Sequence, residues 1–493
     1  MKKLFLAILS GLLYALSFPD TSIWPFILIF ALPLFIIVDK STWKEALFFG
    51  LVAGLVAWAG IIYWVAYVMY FFGGLSFFSA CAVLTIFILY LALYFSAFAW
   101  ISWLEKDSAL ALFTLPGAWV LLELIRTYAL SGFPWELAGY ALFPIGPAIQ
   151  VSEIGGVYII SGIIIMVNLS LYRALKGRYT AIAVSLIVFI GIMTWGYWRM
   201  EHLDYKAFPL RAAVVQASVP QEEKWLPSMV EPSLETYSRL TKIAVSRGAE
   251  VIVWPESACN FLLFRQWEPT MKVIDLSKEC NNTLLMAGSP AFEEGKYFNR
   301  VWALRNGSIC GFYDKTHLVP FGEYLPLAYL LKPIFGTLTK GIGDFSSGSK
   351  IHPVGDAGIL ICFESIFPGL SRTLCRENAL YLVNASNDAW FRTWSAPQQL
   401  LRMSAFRSIE TRRWLIRSVN HGISAIIDPT GRIRCQIGLN KEGVLVDDIE
   451  KIHYSTFYSR HGPIIDWLWV IVTIVVLTIK ILNATYFRHN ARV

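Results

Sequence analysis

The stretch Gly358-Ile359-Leu360-Ile361-Cys362-Phe363-Glu364-Ser365 decides how the second half of this chain folds. Its apolar run of β-forming residues predicts a buried strand that breaks into a turn, which places Cys362 at the carboxyl end of the strand. Open α/β sheets gather their chemistry at that end. Taken alone, the stretch fits a core cysteine equally well, because free cysteines are among the most buried residue types. The rest of the chain decides between these two interpretations.

The composition points to a protein with both membrane and soluble parts. The chain has 493 residues, of which 56% are hydrophobic and 16% are charged, and its mean hydropathy is +0.53. The net charge of +7 comes from basic residues in patches beside apolar segments, which suits membrane topology and argues against nucleic-acid binding. The seven cysteines show no CxxC or Cys/His ligand spacing, so neither a zinc site nor a disulfide framework is indicated.

Residues 1–205 are predicted to form a transmembrane domain of seven helices. A bilayer core needs about 20 apolar residues per helix, and suitable runs lie near 3–18, 22–38, 45–71, 75–104, 109–129, 154–172 and 179–198. The first run could instead be a cleaved signal peptide, but no small-residue cleavage site follows it, which favours a retained helix. A last apolar run, Ile464–Leu482, predicts an eighth helix within 456–493.

The basic residues predict the orientation of these helices. If the spans alternate, one side receives Lys2, Lys3, Lys40, Lys44, Lys106, Arg173, Lys176 and Arg178, while the turns at 18–22 and 71–75 carry no Lys or Arg. The positive-inside rule then places both termini in the cytoplasm and residues 206–455 on the far side of the membrane.

Residues 206–455 alternate short β-rich runs with amphipathic helices. Strands are predicted at 211–216, 250–254, 283–288, 298–305, 309–315, 358–363, 379–384, 414–419, 423–428 and 443–448, and helices at 230–246, 269–280, 369–376 and 397–411. This alternation predicts an α/β sheet layered with helices.

Three strand ends in this domain carry residues that could act together on an acyl group. Glu256 follows one buried strand, Lys315 ends another, and Cys362 ends a third. A carboxylate base can take the proton of a thiol, and a nearby ammonium group can stabilise the thiolate and the oxyanion that forms on attack. Each residue alone would more often be a solvated or core residue; together they form a coherent set.

The motifs that carry these residues resemble those of the nitrilase superfamily of Glu-Lys-Cys enzymes. They are Trp254-Pro255-Glu256, then 314–323 with the pattern Asp-Lys-Thr-His-Leu-Val-Pro-Phe-Gly-Glu, then Ile361-Cys362-Phe363-Glu364. The resemblance implies an αββα fold for 206–455. The arrangement of a nitrilase-like domain between seven helices and one closing helix is similar to that of the apolipoprotein N-acyltransferase family.

The resemblance also implies roles for individual residues. Glu256 would be the general base, Lys315 the partner of the thiolate and oxyanion, and Cys362 the nucleophile. Supporting and substrate-binding positions would be Glu323, Glu364, Phe363 and Trp225; many family members have tyrosine where this chain has Phe363.

The family resemblance implies a two-step acyl transfer at the inner membrane of a bacterium, with the catalytic domain in the periplasm. The donor would be a phospholipid, expected to be phosphatidylethanolamine, and the acceptor the α-amino group of a diacylglyceryl-cysteine lipoprotein. No metal or nucleotide cofactor is needed. One alternative is a membrane-tethered amidase, although an anchor needs only one span. Another is a transporter or scaffold with an inactive domain, against which the intact Glu256, Lys315 and Cys362 argue.

Two apolar loops are expected to form a mobile lid that admits acyl chains from the bilayer. The first, 260–267, carries Phe261, Leu262 and Phe264, and the second, 329–336, carries Phe335, with Gly341 and Gly343 just beyond as hinges. Aromatic and basic side chains are at home in a membrane interface. The alternative is that these loops pack on their own domain.

Overall fold

The computed structural model of the protein describes residues 1–19, 21–324 and 345–490. The chain divides into two compact units. The first comprises Met1–Tyr63, Cys81–His202 and His461–Val493, and the second comprises Trp64–Ala80 and Leu203–Arg460. The second unit therefore takes in a short segment from within the helical part of the sequence.

The first unit is helical. Its helices are Lys2–Leu16, Leu32–Asp39, Trp43–Ile62, the greater part of Phe77–Glu105, Ala111–Tyr128, Gly146–Ile149, Ser152–Leu175, Thr180–Glu201 and Ile464–Asn490. Four helices in the described part of the chain are long and apolar enough to cross a membrane, namely Trp43–Ile62, Phe77–Glu105, Ser152–Leu175 and Thr180–Glu201. Membrane character of this unit is thus supported, whereas the eight predicted spans stay a prediction.

Small residues let three of these helices approach one another at backbone distance. A Cβ atom on Gly11 would lie 2.3 Å from the backbone oxygen of Ala53, and one on Gly54 would lie 2.7 Å from Cα of Ala92. Neither position leaves space for a side chain. Close backbone approach of this kind is typical of helix packing in membranes, where van der Waals contact replaces the hydrophobic effect as the driving force.

Two predicted spans are divided in the structure. The run 22–38 contains a 3₁₀ turn, Trp24–Leu28, followed by the helix Leu32–Asp39, which begins with a proline in its first turn. The run 45–71 separates into Trp43–Ile62 and a second helix, Trp64–Phe71, that belongs to the second unit. Hydropathy alone could not find this break, because the residues on both sides of it are apolar.

The second unit contains two β-sheets. Its strands are β1 (Lys206–Gln216), β2 (Val251–Val253), β3 (Leu284–Glu293), β4 (Lys296–Arg305), β5 (Ser308–Asp314), β6 (Ala357–Ile361), β7 (Tyr381–Asn387), β8 (Leu415–Asn420), β9 (Ser424–Ile427), β10 (Ile433–Ile437) and β11 (Gly443–His453). The sheet orders are β11-β1-β2-β3-β4-β5 and β10-β9-β8-β7-β6. The strands β1, β2 and β3 run parallel, as do β6, β7 and β8.

Successive side chains along the strands face two different cores. One core lies between the two sheets, and the other lies between a sheet and its outer helices. Val214 belongs to a core cluster that joins residues of both sheets, such as Val253 and Ile359. Its neighbour Val215 packs instead with the outer helices. The helices of this unit are Gln221–Lys224, Val230–Ser246, Trp267–Glu279, Pro368–Arg376, Ser395–Thr411 and Phe457–His461, together with Trp64–Phe71. The predicted α/β domain is confirmed; every predicted strand overlaps an observed one, and β10 was missed.

Candidate active site

Glu256 lies just beyond β2, where the buried strand delivers its carboxylate to the carboxyl edge of the first sheet. The side chain is buried, and the residue is only 6% exposed. Oε1 accepts a hydrogen bond of 2.6 Å from Nδ2 of Asn299, and Oε2 accepts one of 2.9 Å from the backbone N–H of Asn387. Asn387 belongs to the opposite sheet, so Glu256 is held from both sheets.

Lys315 follows β5 and is almost completely buried. Its Nζ donates to Oε1 of Glu323 at 2.8 Å and lies 3.7 Å from Oε1 of Glu256. Burial by itself would lower the pKa of Lys315, but the two carboxylates outweigh burial, and the pKa lies above its ordinary value. Glu323 is fixed in turn by the backbone N–H of Val319, which donates to Oε2 at 2.8 Å. Lys315 therefore stays charged at any physiological pH.

Cys362 is the first residue after β6, in a sharp turn. Its φ of 52° lies in the left-handed region, which a non-glycine residue adopts at a cost and which is often associated with functional sites. The carbonyl of Cys362 accepts hydrogen bonds from the hydroxyl of Ser365 at 3.0 Å and from the amide of Asn384 at 3.4 Å. These contacts hold the strained turn and leave the thiol at the edge of the sheet, with the residue 9% exposed.

The thiol of Cys362 is protonated at rest. Burial and the carboxylate of Glu256 raise its pKa to about 12, and the ammonium group of Lys315 opposes this only in part. Attack by this thiol would therefore require a base that takes its proton as the new bond forms. The alternative interpretation, an inert core cysteine, does not account for the carboxylate and ammonium groups that act on this thiol.

Glu364 connects the turn that begins at the predicted nucleophile Cys362, here called the nucleophile turn, to the loop that begins at Lys315, here called the lysine loop. Its Oε2 accepts from the backbone N–H of Ile361 at 2.7 Å. Its Oε1 accepts from the hydroxyl of Tyr313 at 3.0 Å, from the backbone and hydroxyl of Thr316 at 2.8 Å each, and from the backbone N–H of His317 at 3.0 Å. Burial raises the pKa of Glu364 despite these donors. Its position fits a carboxylate that fixes the distance between Lys315 and Cys362.

Several residues of this network were not predicted from the sequence. Asn299 lies inside β4 and donates both to Glu256 and to Glu323, at 2.6 and 3.0 Å. Lys224 is buried and donates from Nζ to the backbone oxygen of Glu256 at 3.1 Å. The polar residues that follow the strand predicted at 379–384 could have indicated Asn387. Asn299, inside a strand, and Lys224, in a short helix, show no sequence pattern that indicates a functional site.

Phe363 and Trp225 have weaker connections to this network. The ring of Phe363 lies 5.2 Å from that of Phe367 and 6.1 Å from that of His317, so it packs beside the nucleophile turn. Trp225 is 47% exposed, and Nζ of the neighbouring Lys224 lies 5.9 Å from its ring centroid. The substrate-binding role of both residues stays a prediction.

The expected exposure of the first lid loop is wrong for Phe261. This residue is 3% exposed and packs in the core between the first sheet and its outer helices, because its side chain is directed into the domain. Leu262 and Phe264 are half-buried, and Phe264 lies 4.8 Å from the ring of Trp302. The predicted lid residue Phe335 and the hinges Gly341 and Gly343 lie outside the described residues.

The segment 64–80 packs on the loop that follows Asn387. The ring of Trp64 lies 4.9 Å from that of Phe391, and its Nε1 donates to Oε1 of Gln399 at 3.3 Å. Further along, the guanidinium carbon of Arg392 lies 4.2 Å from the ring centroid of Phe71. An aromatic segment is thus attached directly to the loop beyond the residue that holds Glu256.

Together the buried groups provide the parts for thiol-based acyl chemistry. The buried carboxylate of Glu256, the charged Lys315 and the strained Cys362 follow three strands, β2, β5 and β6, of two sheets. A second carboxylate, Glu323, keeps the lysine charged, so that its ammonium group is available to stabilise negative charge on a reacting oxygen.

The second unit matches one superfamily of known proteins. Residues 211–453 match the family model for carbon-nitrogen hydrolases, so the second unit belongs to that superfamily of enzymes. The crystal structure of a carbon-nitrogen hydrolase from Helicobacter pylori G27 is also similar, with a TM-score of 0.37 and 16% identity over 49% of this chain and 89% of that chain.

The rest of the chain shows which family within this superfamily the protein resembles. Residues 10–170 match the family model described as the apolipoprotein N-acyltransferase N-terminal domain. A protein named apolipoprotein N-acyltransferase from Geobacter metallireducens is 37% identical, over 94% of this chain and 92% of that protein. One of the same name from Pseudomonas syringae pv. tomato is 30% identical over 92% of each. The chain belongs to the apolipoprotein N-acyltransferase family.

Proposed function

We propose that this protein transfers an acyl chain from a phospholipid to the N-terminal α-amino group of diacylglyceryl-cysteine lipoproteins, through a thioester on Cys362. The observation that carries the proposal is the junction of Lys315 with Glu256 and Glu323 beside the strained turn of Cys362. Membership of the family supports a lipoprotein as the acceptor, and the buried charged groups support cleavage of an ester by the thiol.

In the first half-reaction Glu256 takes the proton of Cys362 as the sulfur attacks the ester carbonyl of the phospholipid. The tetrahedral oxyanion forms beside the ammonium group of Lys315, which stabilises it. The ester C–O bond then breaks, and the departing alkoxide takes the proton from Glu256. The products are the thioester and a lysophospholipid.

In the second half-reaction the neutral α-amino group of the lipoprotein attacks the thioester. Glu256 takes a proton from the attacking nitrogen, the C–S bond breaks, and the thiolate recovers that proton. Release of the amide product leaves Glu256 ionised and Cys362 protonated, as they were at the start of the reaction. General acid–base catalysis by one carboxylate thus serves both steps.

Exposed aromatic residues in the catalytic unit favour a lipid donor. Tyr67, Tyr70 and Phe77 lie in the segment 64–80 and are 44%, 45% and 56% exposed. Tyrosine and phenylalanine side chains are suited to the interface between headgroups and acyl chains. As part of the same proposal, the donor is phosphatidylethanolamine, eight helices cross the inner membrane, the catalytic unit is periplasmic, and both termini are cytoplasmic.

The test uses the full chain in vesicles that contain phosphatidylethanolamine with a labelled acyl chain. Addition of a diacylglyceryl-cysteinyl peptide is expected to produce the labelled N-acyl peptide together with one lysophospholipid per transfer. A matched peptide with an acetylated N-terminus should remain unlabelled. Release of the label only as free fatty acid would indicate a hydrolase, and absence of any lysophospholipid would contradict the proposal.

A further inference from the structure

A second lysine is buried beside the candidate active site. Lys224 ends the short helix Gln221–Lys224 and is 2% exposed. Its Nζ donates to the backbone oxygen of Glu256 at 3.1 Å, and its own carbonyl accepts from Nδ2 of Asn260 at 2.6 Å. A lysine side chain is almost never fully buried unless its charged group is paired or hydrogen-bonded.

The charges around Lys224 explain how it can stay buried. Glu256 provides a carboxylate that favours the charged form of Lys224, while Lys315 pairs with Glu323 at 2.8 Å and lies 3.7 Å from Glu256. The titratable groups that act on Lys224 are the carboxylate of Glu256 and the thiols of Cys259 and Cys362.

The neighbouring acidic group on its own segment is already paired. Glu222 lies 3.0 Å from the guanidinium group of Arg392, and both partners are partly exposed. Nζ of Lys224 instead lies inside the domain at the backbone oxygen of Glu256, whereas Glu222 and Glu223 of the same helix are exposed.

The contacts of Lys224 make its charge sensitive to pH. Burial lowers its pKa to about 8, although Glu256, Cys259 and Cys362 all favour the charged form. Lys315 differs, because a carboxylate contacts its Nζ directly. The charge on Lys224 is thus lost at moderately alkaline pH, while the charge on Lys315 is retained.

We propose that Lys224 is a positioning residue that holds the Glu256 backbone beside Cys362 and whose positive charge favours formation of the Cys362 thiolate. This inference rests on the roles proposed above for Glu256 and Cys362, and it adds a second cation to the machinery. The charge acts only while the ammonium group is protonated, so the assistance disappears as pH rises through its pKa.

The test is the rate at which iodoacetamide alkylates Cys362 in the full chain, followed on the peptide that contains Cys362 by mass spectrometry. At pH 6.5 the wild type should react about tenfold faster than Lys224→Met, which corresponds to about one unit in the pKa of the thiol. Above about pH 9 the two rates should converge, because the wild-type lysine is then neutral.

Lys224→Arg provides the conservative variant, since a guanidinium group stays charged throughout this range. Its advantage over Lys224→Met should persist at pH 9.5. Lys242→Met is the matched control, because that lysine is 60% exposed and pairs with Glu279 on the surface; it should follow the wild-type profile. If Lys224→Met does not fold, the proposal is decided by the wild type against Lys224→Arg, whose rates should diverge only above pH 8.

A ratio of rates that is constant with pH would overturn the electrostatic role and leave a purely structural one. Equal rates at every pH would overturn the proposal entirely. Because alkylation requires no lipid, these outcomes are separate from failure of the proposed function, which would appear as a wild type that alkylates normally but forms no lysophospholipid.

Discussion

Lys315 and Lys224 are buried to nearly the same extent, but their surroundings shift their pKa values in opposite directions. The Nζ of Lys315 lies within 2.8 Å of Glu323 and 3.7 Å of Glu256, and its pKa is raised. The Nζ of Lys224 contacts a neutral carbonyl, and its pKa is lowered to about 8. Burial alone therefore does not define a lysine's role; the nearest carboxylate decides whether it is a fixed or a titratable charge.

This difference fits different roles for the two lysines. Lys315 needs a constant charge if it is to stabilise an oxyanion at every turnover. Lys224 is directed at the backbone of Glu256 and at the thiols, where it can adjust how easily Cys362 loses its proton.

Removing the fixed charge should have the largest effect. Lys315→Met leaves Glu256 and Glu323 facing each other without a cation between them and removes the partner of the oxyanion. The rate of thioester formation should fall by about 10²–10³, measured as lysophospholipid release in vesicles. Lys278→Met, which removes an exposed lysine paired with Asp275, should leave that rate unchanged. Equal losses in Lys315→Met and Lys224→Met would contradict the distinction.

Weakening the fixed charge should have an intermediate effect. Glu323→Gln removes the carboxylate closest to Lys315 and keeps a side chain of the same shape, so the pKa of Lys315 should fall towards its ordinary value. We expect thioester formation to slow by about tenfold, in line with roughly one unit of pKa. The loss should be greater at pH 10.5 than at pH 7, since a lysine at its ordinary pKa of 10.5 is then half deprotonated. A loss that does not depend on pH would show that Glu323 serves only to shape the loop.

Glu364 and Asn260, which hold the segments that carry Lys315 and Lys224, should differ in their contribution to stability. Glu364 accepts five hydrogen bonds that join the Lys315 loop to the nucleophile turn, whereas Asn260 supplies a single bond to the carbonyl of Lys224. Glu364→Gln should lower the free energy of unfolding by about 3 kcal/mol, because its amide N–H₂ faces buried donors, and Asn260→Ala by about 1 kcal/mol. Thermal unfolding in detergent measures both; the reverse order would contradict this account of the anchors.

The effect confined to the narrowest range of conditions is a change of stability with pH. Burial lowers the pKa of Lys224 from 10.5 to about 8, so between these values the unfolded chain binds the proton more tightly and the free energy of unfolding rises with pH. Lys315, whose pKa is raised, contributes a constant stabilisation in this window and loses it only at higher pH. The Tm of Lys224→Met relative to the wild type should therefore be more favourable at pH 7.5 than at pH 10. A difference that is flat with pH would mean that Lys224 does not titrate there.

The catalytic strands could be predicted from the sequence because each combines a local β pattern with a polar residue at its end. Val251–Val253 before Glu256 and Ala357–Ile361 before Cys362 are short, continuous apolar runs, and both proved to be buried strands. Their meeting at one edge follows from the geometry of parallel sheets. The roles of Glu256, Lys315 and Cys362 stay predictions until they are measured.

Residues whose importance depends on distant contacts could not be found in this way. Lys224 lies 32 positions from Glu256, and nothing in its own short helix indicates burial. Asn299 is one polar residue within β4. The helix Trp64–Phe71 looks like the continuation of a membrane span, because hydropathy does not record which unit its aromatic rings contact. Phe261 illustrates the opposite error, since an apolar loop residue can be covered by its own domain.

The most direct test of the central claim is to locate the acyl group in the intermediate. The full chain is mixed with labelled phosphatidylethanolamine in vesicles without an acceptor, and the labelled peptide is identified by mass spectrometry. The matched variants are Cys362→Ser and Cys259→Ser, because Cys259 is the other buried thiol near Lys224. We expect one hydroxylamine-sensitive adduct on Cys362, abolished in Cys362→Ser and retained in Cys259→Ser. An adduct on any other residue of the wild type, or a labelled Cys362→Ser protein, would contradict the account.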